Sequence, residues 1–208
     1  MIISITDTNI LLRIFPLFNG DVLSLCPSLL LSHPNYEIRI TSVVVEGELQ
    51  RKTSEYIRFD KNPNTYTPTS GFVYKFGVDY CQRATAFFRK VSTTDISYRH
   101  IDKFRVVKGL CLNQGKEFLK THKKFKNTKK KNLSQEDCEL IYLAKIEGAN
   151  GYICSGDMLM NEVGSHLEYC KLISCKDLLQ LMVKQGHISQ KDIENLDRFV
   201  WKNFGEKL

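Results

Sequence analysis

Long apolar runs are missing from this chain of 208 residues. No stretch reaches the roughly 18 to 20 consecutive apolar residues that a transmembrane helix needs. The sequence also does not start with a basic region followed by an apolar stretch and a small-residue cleavage site. These absences predict a protein without a membrane span, and we expect it to be cytoplasmic.

Paired cysteines and common cofactor motifs are also missing. The seven cysteines are scattered singly, with no C-x-x-C pair. This argues against a disulfide framework or a zinc site and predicts reduced, buried thiols. The sequence contains no G-x-G-x-x-G or Walker loop and no H-E-x-x-H motif, so it indicates neither a nucleotide cofactor nor a histidine-based catalytic site.

Proline is scarce and unevenly placed. All five prolines lie at or before Pro68, so the rest of the chain contains no proline to interrupt a helix. At 24.0 kDa the chain is long enough for one well-buried domain and short for two. We therefore predict a single domain, residues 1–208, in which helices dominate the C-terminal part.

Short β-branched strands alternate with helical segments at both ends of the chain. The segments MIISIT, YEIRIT and NGYICS are typical of buried strands, and KLISC of a shorter one. Helical patterns with short connections follow the first three. This alternation predicts an α/β fold with a parallel sheet of four to five strands and helices on both faces.

Several residues predict where helices begin or end. The helix after the first strand is expected to break near Pro16, and a second helical stretch, 20–35, is expected to end at Pro34. Ser42 and Ser134 are suited to begin two later helices as N-cap residues.

The middle of the chain has a weaker pattern. Residues 56–115 combine a polar, proline-containing loop with two amphipathic helices, and we predict that they form a helical insertion, a lid or an arm. Its aromatic side chains either pack this insertion against the core or stack on unpaired bases. They are Tyr66, Phe72, Tyr74, Phe87 and Phe88.

The net charge of +7 is concentrated in one segment. Residues 116–131 contain eight lysines and one acidic residue, Glu117, and the basic and acidic residues of the other segments balance. Such a lysine-rich segment either attracts a phosphate backbone or is a solvated helix end without a partner. The lysines that we expect to bind nucleic acid are Lys123, Lys124, Lys126, Lys129, Lys130 and Lys131.

Acidic residues follow the predicted strands. Asp7 follows the first strand and Asp157 follows NGYICS, so both should reach the carboxyl edge of the sheet, where ligands bind in such folds. Asp137 lies in the first turn of the helix that leads into NGYICS, and a glutamate of VVVEGEL can complete the ring. Each acid alone is equally explained as a turn or cap residue, but their joint placement predicts one site.

A ring of carboxylates favours a particular kind of ligand. The negative charges repel one another, and a divalent cation removes that repulsion. Oxygen ligands and few histidines favour Mg²⁺ or Mn²⁺ over zinc. Such an ion lowers the pKa of a bound water and orients it for attack on a phosphate, so we predict phosphodiester hydrolysis.

Three segments resemble PIN-domain nucleases, including the VapC-type toxins: ISITDTNILLR, ITSVVVEGELQRK and LSQEDCELIYLAKIEGANGYICSGD. In that family the first strand ends in D-x-N or D-x-S, a helical E-L follows, a Ser-x-x-Asp opens a later helix, and a strand ends in T-x-D. The likeness covers about residues 1–55 and 132–186. It implies a Mg²⁺- or Mn²⁺-dependent nuclease, most readily an endoribonuclease, with RNA favoured over DNA as the substrate. Two biological roles stay open, a toxin with an antitoxin partner and a related defence or RNA-processing enzyme. An exposed sheet-and-helix domain of this kind also often forms a homodimer.

The resemblance also implies roles for single residues. It assigns metal binding and catalysis to four carboxylates: Asp7, Glu48, Asp137 and Asp157. Asn9 and Ser155 take the positions of accessory polar residues. Glu46 is the alternative to Glu48, because the two lie on different faces of a helix, and the E-L dipeptide favours Glu48.

Two other functions stay open from the sequence. A non-catalytic RNA-binding or assembly module on the same fold is disfavoured, because each matching acidic position is filled. An aspartyl-nucleophile phosphatase also begins with an aspartate after the first strand, but it needs a second aspartate two residues later, where this chain has Asn9.

Overall fold

A computed structural model of the protein describes residues 1–19, 31–61, 71–91, 93–125 and 131–208. These residues contain a sheet of five strands in the order β2-β3-β1-β4-β5. The strands are β1 Ile2–Thr6, β2 Ser32–His33, β3 Tyr36–Arg39, β4 Gly151–Cys154 and β5 Lys171–Leu172. β1 lies at the centre and pairs in parallel with both β3 and β4.

The sheet is mostly parallel, which confirms the α/β prediction. β5 is parallel to β4, but β2 is antiparallel to β3, so the prediction of an all-parallel sheet was wrong at this edge. Residues 3–6 of β1 are all buried. Because successive side chains of a strand point to opposite faces, both faces of the central strand are covered.

Helices account for most of the remaining described chain. They are α1 Thr8–Phe18, a π-helix Val43–Gln50 that continues directly into α2 Arg51–Lys61, α3 Gly71–Phe76, α4 Val78–Phe88, α5 Ile101–Thr121, α6 Gln135–Ile146, α7 Met158–His166, α8 Cys175–Lys184 and α9 Gln190–Phe204. None of the helices in the described ranges has both the length and the apolar character needed to cross a membrane.

The two predicted N-caps have different outcomes. Ser134 caps α6 through a capping box with Asp137, which confirms that prediction. Ser42 does not cap the π-helix. It adopts a helical conformation itself, and its backbone N–H and its hydroxyl both donate to Asp95 Oδ1, at 3.0 and 2.6 Å. The preceding residue takes the capping role instead, because the Thr41 hydroxyl oxygen accepts the backbone N–H of Val44 at 3.2 Å.

Pro16 does not break α1, contrary to the prediction. Proline cannot donate a hydrogen bond to the carbonyl four residues earlier, which here belongs to Leu12. The buried Tyr80 hydroxyl of α4 donates to that Leu12 carbonyl at 2.7 Å. A side chain from another helix thus replaces the missing backbone donor, and α1 continues to Phe18.

Removing this hydroxyl by Tyr80→Phe should destabilise the fold. The buried Leu12 carbonyl would lose its donor, and an unsatisfied buried polar group costs about 1 to 3 kcal/mol. Urea denaturation measures the loss, and Tyr98→Phe, at a residue 88% exposed, is the control expected to change nothing. Adding Pro16→Ala restores a backbone donor, so it should recover part of the loss in the Tyr80→Phe background. Equal stability of Tyr80→Phe and the unaltered protein would contradict this account.

The predicted helical stretch 20–35 lies partly outside the described residues, which resume at residue 31. Within the described part, Ser32–His33 forms the edge strand β2 rather than a helix. Pro34 and Asn35 make the turn between β2 and β3. The sequence pattern did not identify β2 because this strand has only two residues, too few to show the apolar pattern of a strand.

The described helices of segment 56–115 contribute side chains to the hydrophobic core. α3 and α4 contribute seven buried side chains to the hydrophobic cluster that also contains β1 and α1: Phe72, Val73, Phe76, Tyr80, Cys81, Ala84 and Phe88. The predicted buried thiols are confirmed for five described cysteines: Cys81, Cys111, Cys138, Cys154 and Cys175.

Candidate functional site

The carboxyl ends of β1 and β4 lie side by side. The backbone N–H of Asp7, the first residue after β1, donates to the Cys154 carbonyl at the end of β4, at 3.0 Å. Asp7 is also the N-cap of α1. The residues that follow the two strands, Asp7 and Ser155, are therefore held next to each other by backbone pairing.

The buried Asp7 carboxylate accepts two short hydrogen bonds. Thr8 N–H donates to Oδ1 and the Ser155 hydroxyl donates to Oδ2, both at 2.7 Å. The Ser155 hydroxyl in turn accepts the backbone N–H of Asp157 at 2.9 Å. Ser155 thus connects the carboxylate after β1 with the segment after β4.

The environment of Asp7 strongly favours its neutral form. The pKa of Asp7 is raised from 3.8 to about 7, mainly by burial and also by the negative charges of Glu48 and Asp137, while the hydrogen bonds from Ser155 and Thr8 act in the opposite direction. Two other carboxylates are therefore close enough to act on Asp7. The residues Asp7, Glu48 and Asp137, called the acidic triad below, occupy one region at the end of β1.

Glu48 lies in the site and Glu46 does not. Glu48 accepts a hydrogen bond from the Thr8 hydroxyl and pairs with Lys52 at 2.8 Å, and 15% of its side chain is exposed. The Glu46 side chain is 59% exposed and lies 3.7 Å from Arg89. The π-helix therefore directs Glu48, the glutamate of the E-L dipeptide, toward Thr8 at the start of α1, and directs Glu46 toward solvent.

The other two predicted carboxylates both cap helices. Asp137 Oδ2 accepts the Ser134 N–H at 2.7 Å within the capping box of α6. Asp157 Oδ1 accepts the N–H groups of Leu159 and Met160 at the start of α7. A role at a helix start and a role in the site do not exclude each other. Asp137 takes part in the capping box of α6, and its charge also raises the pKa of Asp7.

The remaining predicted residues surround this region less closely. Asn9 is exposed in the first turn of α1. Lys124 pairs with Glu162 of α7 at 2.5 Å, and Lys123 and Lys131 are exposed. Three of the predicted lysines lie outside the described residues: Lys126, Lys129 and Lys130.

Thr8 and Lys52 belong to the site but were not predicted from the sequence. Lys52 stands four residues after Glu48, a spacing that places two helical side chains together, so an ion pair could have been anticipated. Thr8 gave no such signal. Its hydroxyl meets Glu48 only because the start of α1 and the π-helix come together in the folded chain.

The chemistry of these side chains suits a hard cation. All donor atoms of the acidic triad are carboxylate oxygens, the ligands that Mg²⁺ and Mn²⁺ prefer. Over the described ranges, however, no three Asp, Glu, His or Cys side chains converge as a ready-made metal-binding group. Glu48 is paired with the Lys52 ammonium, so part of the negative charge is already balanced by the protein itself.

Comparisons with known proteins identify no family for this chain. No protein-family model matches it, and no curated protein or solved structure matches it either. The likeness to PIN domains therefore rests on the sequence motifs.

Proposed function

We propose that this protein is a Mg²⁺- or Mn²⁺-dependent nuclease of the PIN type, and that its substrate is RNA. The observation that carries the proposal is the burial of Asp7 beside Glu48 and Asp137 at the carboxyl end of the central strand β1. Ligands of α/β folds bind at this edge of the sheet.

The electrostatics of the acidic triad support a cationic ligand. A buried carboxylate without a compensating charge is unfavourable, and neighbouring carboxylates increase that penalty. The metal-free protein relieves it by favouring the protonated form of Asp7 and by pairing Glu48 with Lys52. A divalent cation would relieve it more fully, because it attracts all three carboxylates at once.

Each residue of the site has a definite part in this proposal. The acidic triad would hold the cation, with Asp157 as the fourth carboxylate. When bound, the cation supplies a water of lowered pKa and stabilises negative charge on the phosphate. Thr8 and Ser155 fix the orientation of the Asp7 carboxylate through their hydrogen bonds.

The lysine-rich segment supports nucleic acid as the substrate. Lys124 contacts α7, whose N-cap is Asp157, and Lys131 lies three residues before Ser134, the N-cap of α6. The lysine-rich segment is therefore close to α7 at Lys124 and to α6 at Lys131, and these two helices begin at or near Asp157 and Asp137. A polyanion approaching these carboxylates would be attracted by the lysines, and its affinity would fall steeply with salt.

The sequence resemblance extends the proposal to a biological role. We propose a cytoplasmic endoribonuclease that is either a toxin with a protein antitoxin as partner or a related defence or RNA-processing enzyme, with a homodimer as its assembly. A non-catalytic RNA-binding module on the same fold would share the lysines but would not need the acidic triad.

The glutamate pair gives a matched test. Glu48→Gln should reduce Mn²⁺-dependent cleavage of an RNA transcript by at least roughly 10- to 100-fold, the loss typical of residues that only support metal ligands. Glu46→Gln removes the same charge from the same helix and should leave cleavage within about twofold, because its side chain faces Arg89. Gel analysis of the products at several Mn²⁺ concentrations measures both.

Three results would contradict the proposal. Cleavage by the purified protein that persists in excess EDTA would exclude a metal-dependent mechanism. Equal activities of the two glutamine variants would exclude Glu48 from the site. RNA binding without any cleavage under Mg²⁺ or Mn²⁺ would favour the non-catalytic module.

A further inference from the structure

One face of the helix beyond Glu48 combines a cation with aromatic rings. Glu48, Lys52 and Tyr56 follow one another at four-residue intervals along the π-helix and α2, and side chains four residues apart in a helix are neighbours. α3 lies beside this face. Its Phe72 ring is 5.6 Å from Lys52 Nζ, and its Tyr74 ring is 4.8 Å from the Tyr56 ring.

Lys52 is held between the acidic triad and this aromatic surface. Its ammonium pairs with Glu48 Oε1 at 2.8 Å, and 26% of its side chain remains exposed. A lysine ammonium carries three N–H donors. It can therefore contact a phosphate while it keeps its bond to Glu48.

Tyr74 differs from the other aromatic residues of α3 in its exposure. Phe72 and Phe76 are buried in the core, whereas Tyr74 is 57% exposed. Its ring meets the Tyr56 ring edge to face, with an interplanar angle of 82°. Tyr56 therefore fixes the orientation of the Tyr74 ring while much of that ring stays open to solvent.

We propose that Lys52 and Tyr74 form a binding subsite for an unpaired nucleotide next to the acidic triad. Lys52 contacts a phosphate of the strand and the Tyr74 ring stacks on a base. The subsite deepens the nuclease proposal, on which its role in cleavage rests, by naming single-stranded RNA as the substrate class. A base can stack on a side chain only when it has left its own helix, so a continuous duplex does not fit.

The distances along the helix agree with contacts to one short piece of strand. Lys52 and Tyr56 are one helical turn apart, about 6 Å at the usual rise per residue. Tyr74, which packs on Tyr56, is therefore near the phosphate-binding ammonium. The subsite also begins directly at Glu48, so a strand that occupies it would enter the acidic triad.

The test is RNA binding in EDTA, where no metal-dependent cleavage occurs. Fluorescence anisotropy compares a labelled single-stranded RNA of about eight nucleotides, long enough for one single-strand site, with a duplex of the same sequence. Tyr74→Leu should weaken single-strand binding roughly 5- to 100-fold, the loss expected for one stacked base, and Tyr74→Phe should retain most of the affinity. Tyr98→Leu, at an exposed tyrosine on another segment, should change the affinity less than twofold.

Lys52→Gln tests the phosphate contact by a different readout. Loss of one phosphate contact should reduce the slope of log affinity against log salt by about 0.7 for a single strand. Tyr74→Leu should leave that slope unchanged, because stacking carries no charge. Circular dichroism of both variants verifies that they remain folded.

The outcomes separate this subsite from the nuclease proposal. Two results would overturn the subsite even if Glu48→Gln abolishes cleavage. One is that Tyr74→Leu binds single-stranded RNA as tightly as the unaltered protein does. The other is that the protein binds the duplex more tightly than the single strand. A selective loss in Tyr74→Leu with no metal-dependent cleavage would support the subsite and reject the nuclease. Failure of the unaltered protein to bind the single strand would also overturn the subsite.

Discussion

Asp7→Asn is expected to abolish the proposed metal-dependent cleavage while making the metal-free protein more stable above neutral pH. The substitution removes a negative charge from the acidic triad but keeps the shape of the side chain and an oxygen that can accept the Thr8 N–H. The cation would lose a central ligand. Since a bound metal supplies several kcal/mol of charge stabilisation, we expect cleavage to fall by about 10³-fold.

The gain in stability follows from the raised pKa of Asp7. Its folded-state pKa is about 7 and its ordinary value is 3.8. The folded protein therefore holds the proton more tightly than the unfolded chain, and this group stabilises the fold fully below about pH 4. That contribution is lost as the pH rises from about 4 through 7, so the metal-free protein should become less stable across this window.

The expected size of the effect makes it easy to measure. A difference of about 3 pKa units corresponds to at most about 4 kcal/mol between pH 4 and pH 8. Asparagine does not titrate, so Asp7→Asn should remove this part of the pH dependence and unfold at higher urea concentration than the unaltered protein at pH 8. Asp102→Asn, at a carboxylate that is almost fully exposed, should leave the pH dependence unchanged.

Urea denaturation in EDTA at pH 5 and pH 8 gives the comparison, followed by the same measurement with Mg²⁺. A cation that binds the folded state alone adds stability by mass action, so Mg²⁺ should stabilise the unaltered protein at pH 8 and have little effect on Asp7→Asn. If Asp7→Asn is instead less stable than the unaltered protein at pH 8, the charge of Asp7 is not unfavourable in the folded protein, and the electrostatic argument for a cation at this site fails.

The polar residues at the ends of β1 and β4 could be located from the sequence, because a β-branched run that finishes at a polar residue marks the end of a strand. Asp7 and Ser155 follow this rule, and backbone pairing between β1 and β4 brings them together. The helix start at Ser134 was equally clear, since a capping box depends on residues only three positions apart. Local signals of this kind predict local structure well.

Features that depend on contacts between distant residues could not be predicted. The preference for Glu48 over Glu46 rested on a dipeptide, whereas the contacts of Glu48 with Thr8 and Lys52 appear only in the folded chain. Pro16 looked like a helix breaker because the compensating hydroxyl of Tyr80 is 64 residues away in the sequence. The packing of α3 and α4 on the core was one of two alternatives that the sequence left open, because amphipathic helices do not reveal which surface they cover.

Gly151→Ala is expected to be the most destabilising single substitution considered for this protein. Gly151 begins β4, and a Cβ placed on it would lie 1.8 Å from the carbonyl oxygen of Ala144 in α6 and 2.8 Å from the carbonyl carbon. Both atoms belong to a helix backbone and cannot rotate away. The close approach of α6 to the sheet therefore requires a residue without a side chain at this position.

To accept the methyl group, α6 would have to move away from β4, or β4 would have to leave its pairing with Ile3 of β1. Overpacking of a core typically costs 1 to 3 kcal/mol, and here the obstacle is backbone, so we expect a loss of about 3 kcal/mol or more. Since α6 carries Asp137, the acidic triad should be disturbed as well, and the molecules that remain folded should cleave RNA more slowly.

Gly109→Ala is the matched control, because Gly109 lies within α5 and a Cβ there would meet no atom within 4 Å. Alanine favours the helix over glycine by about 0.5 to 1 kcal/mol, so this variant should be slightly more stable. Urea unfolding measured for both variants should therefore give changes of opposite sign. A Gly151→Ala protein that unfolds at the same urea concentration as the unaltered chain would mean that α6 does not approach β4 this closely, and the position of Asp137 beside Asp7 would lose its support.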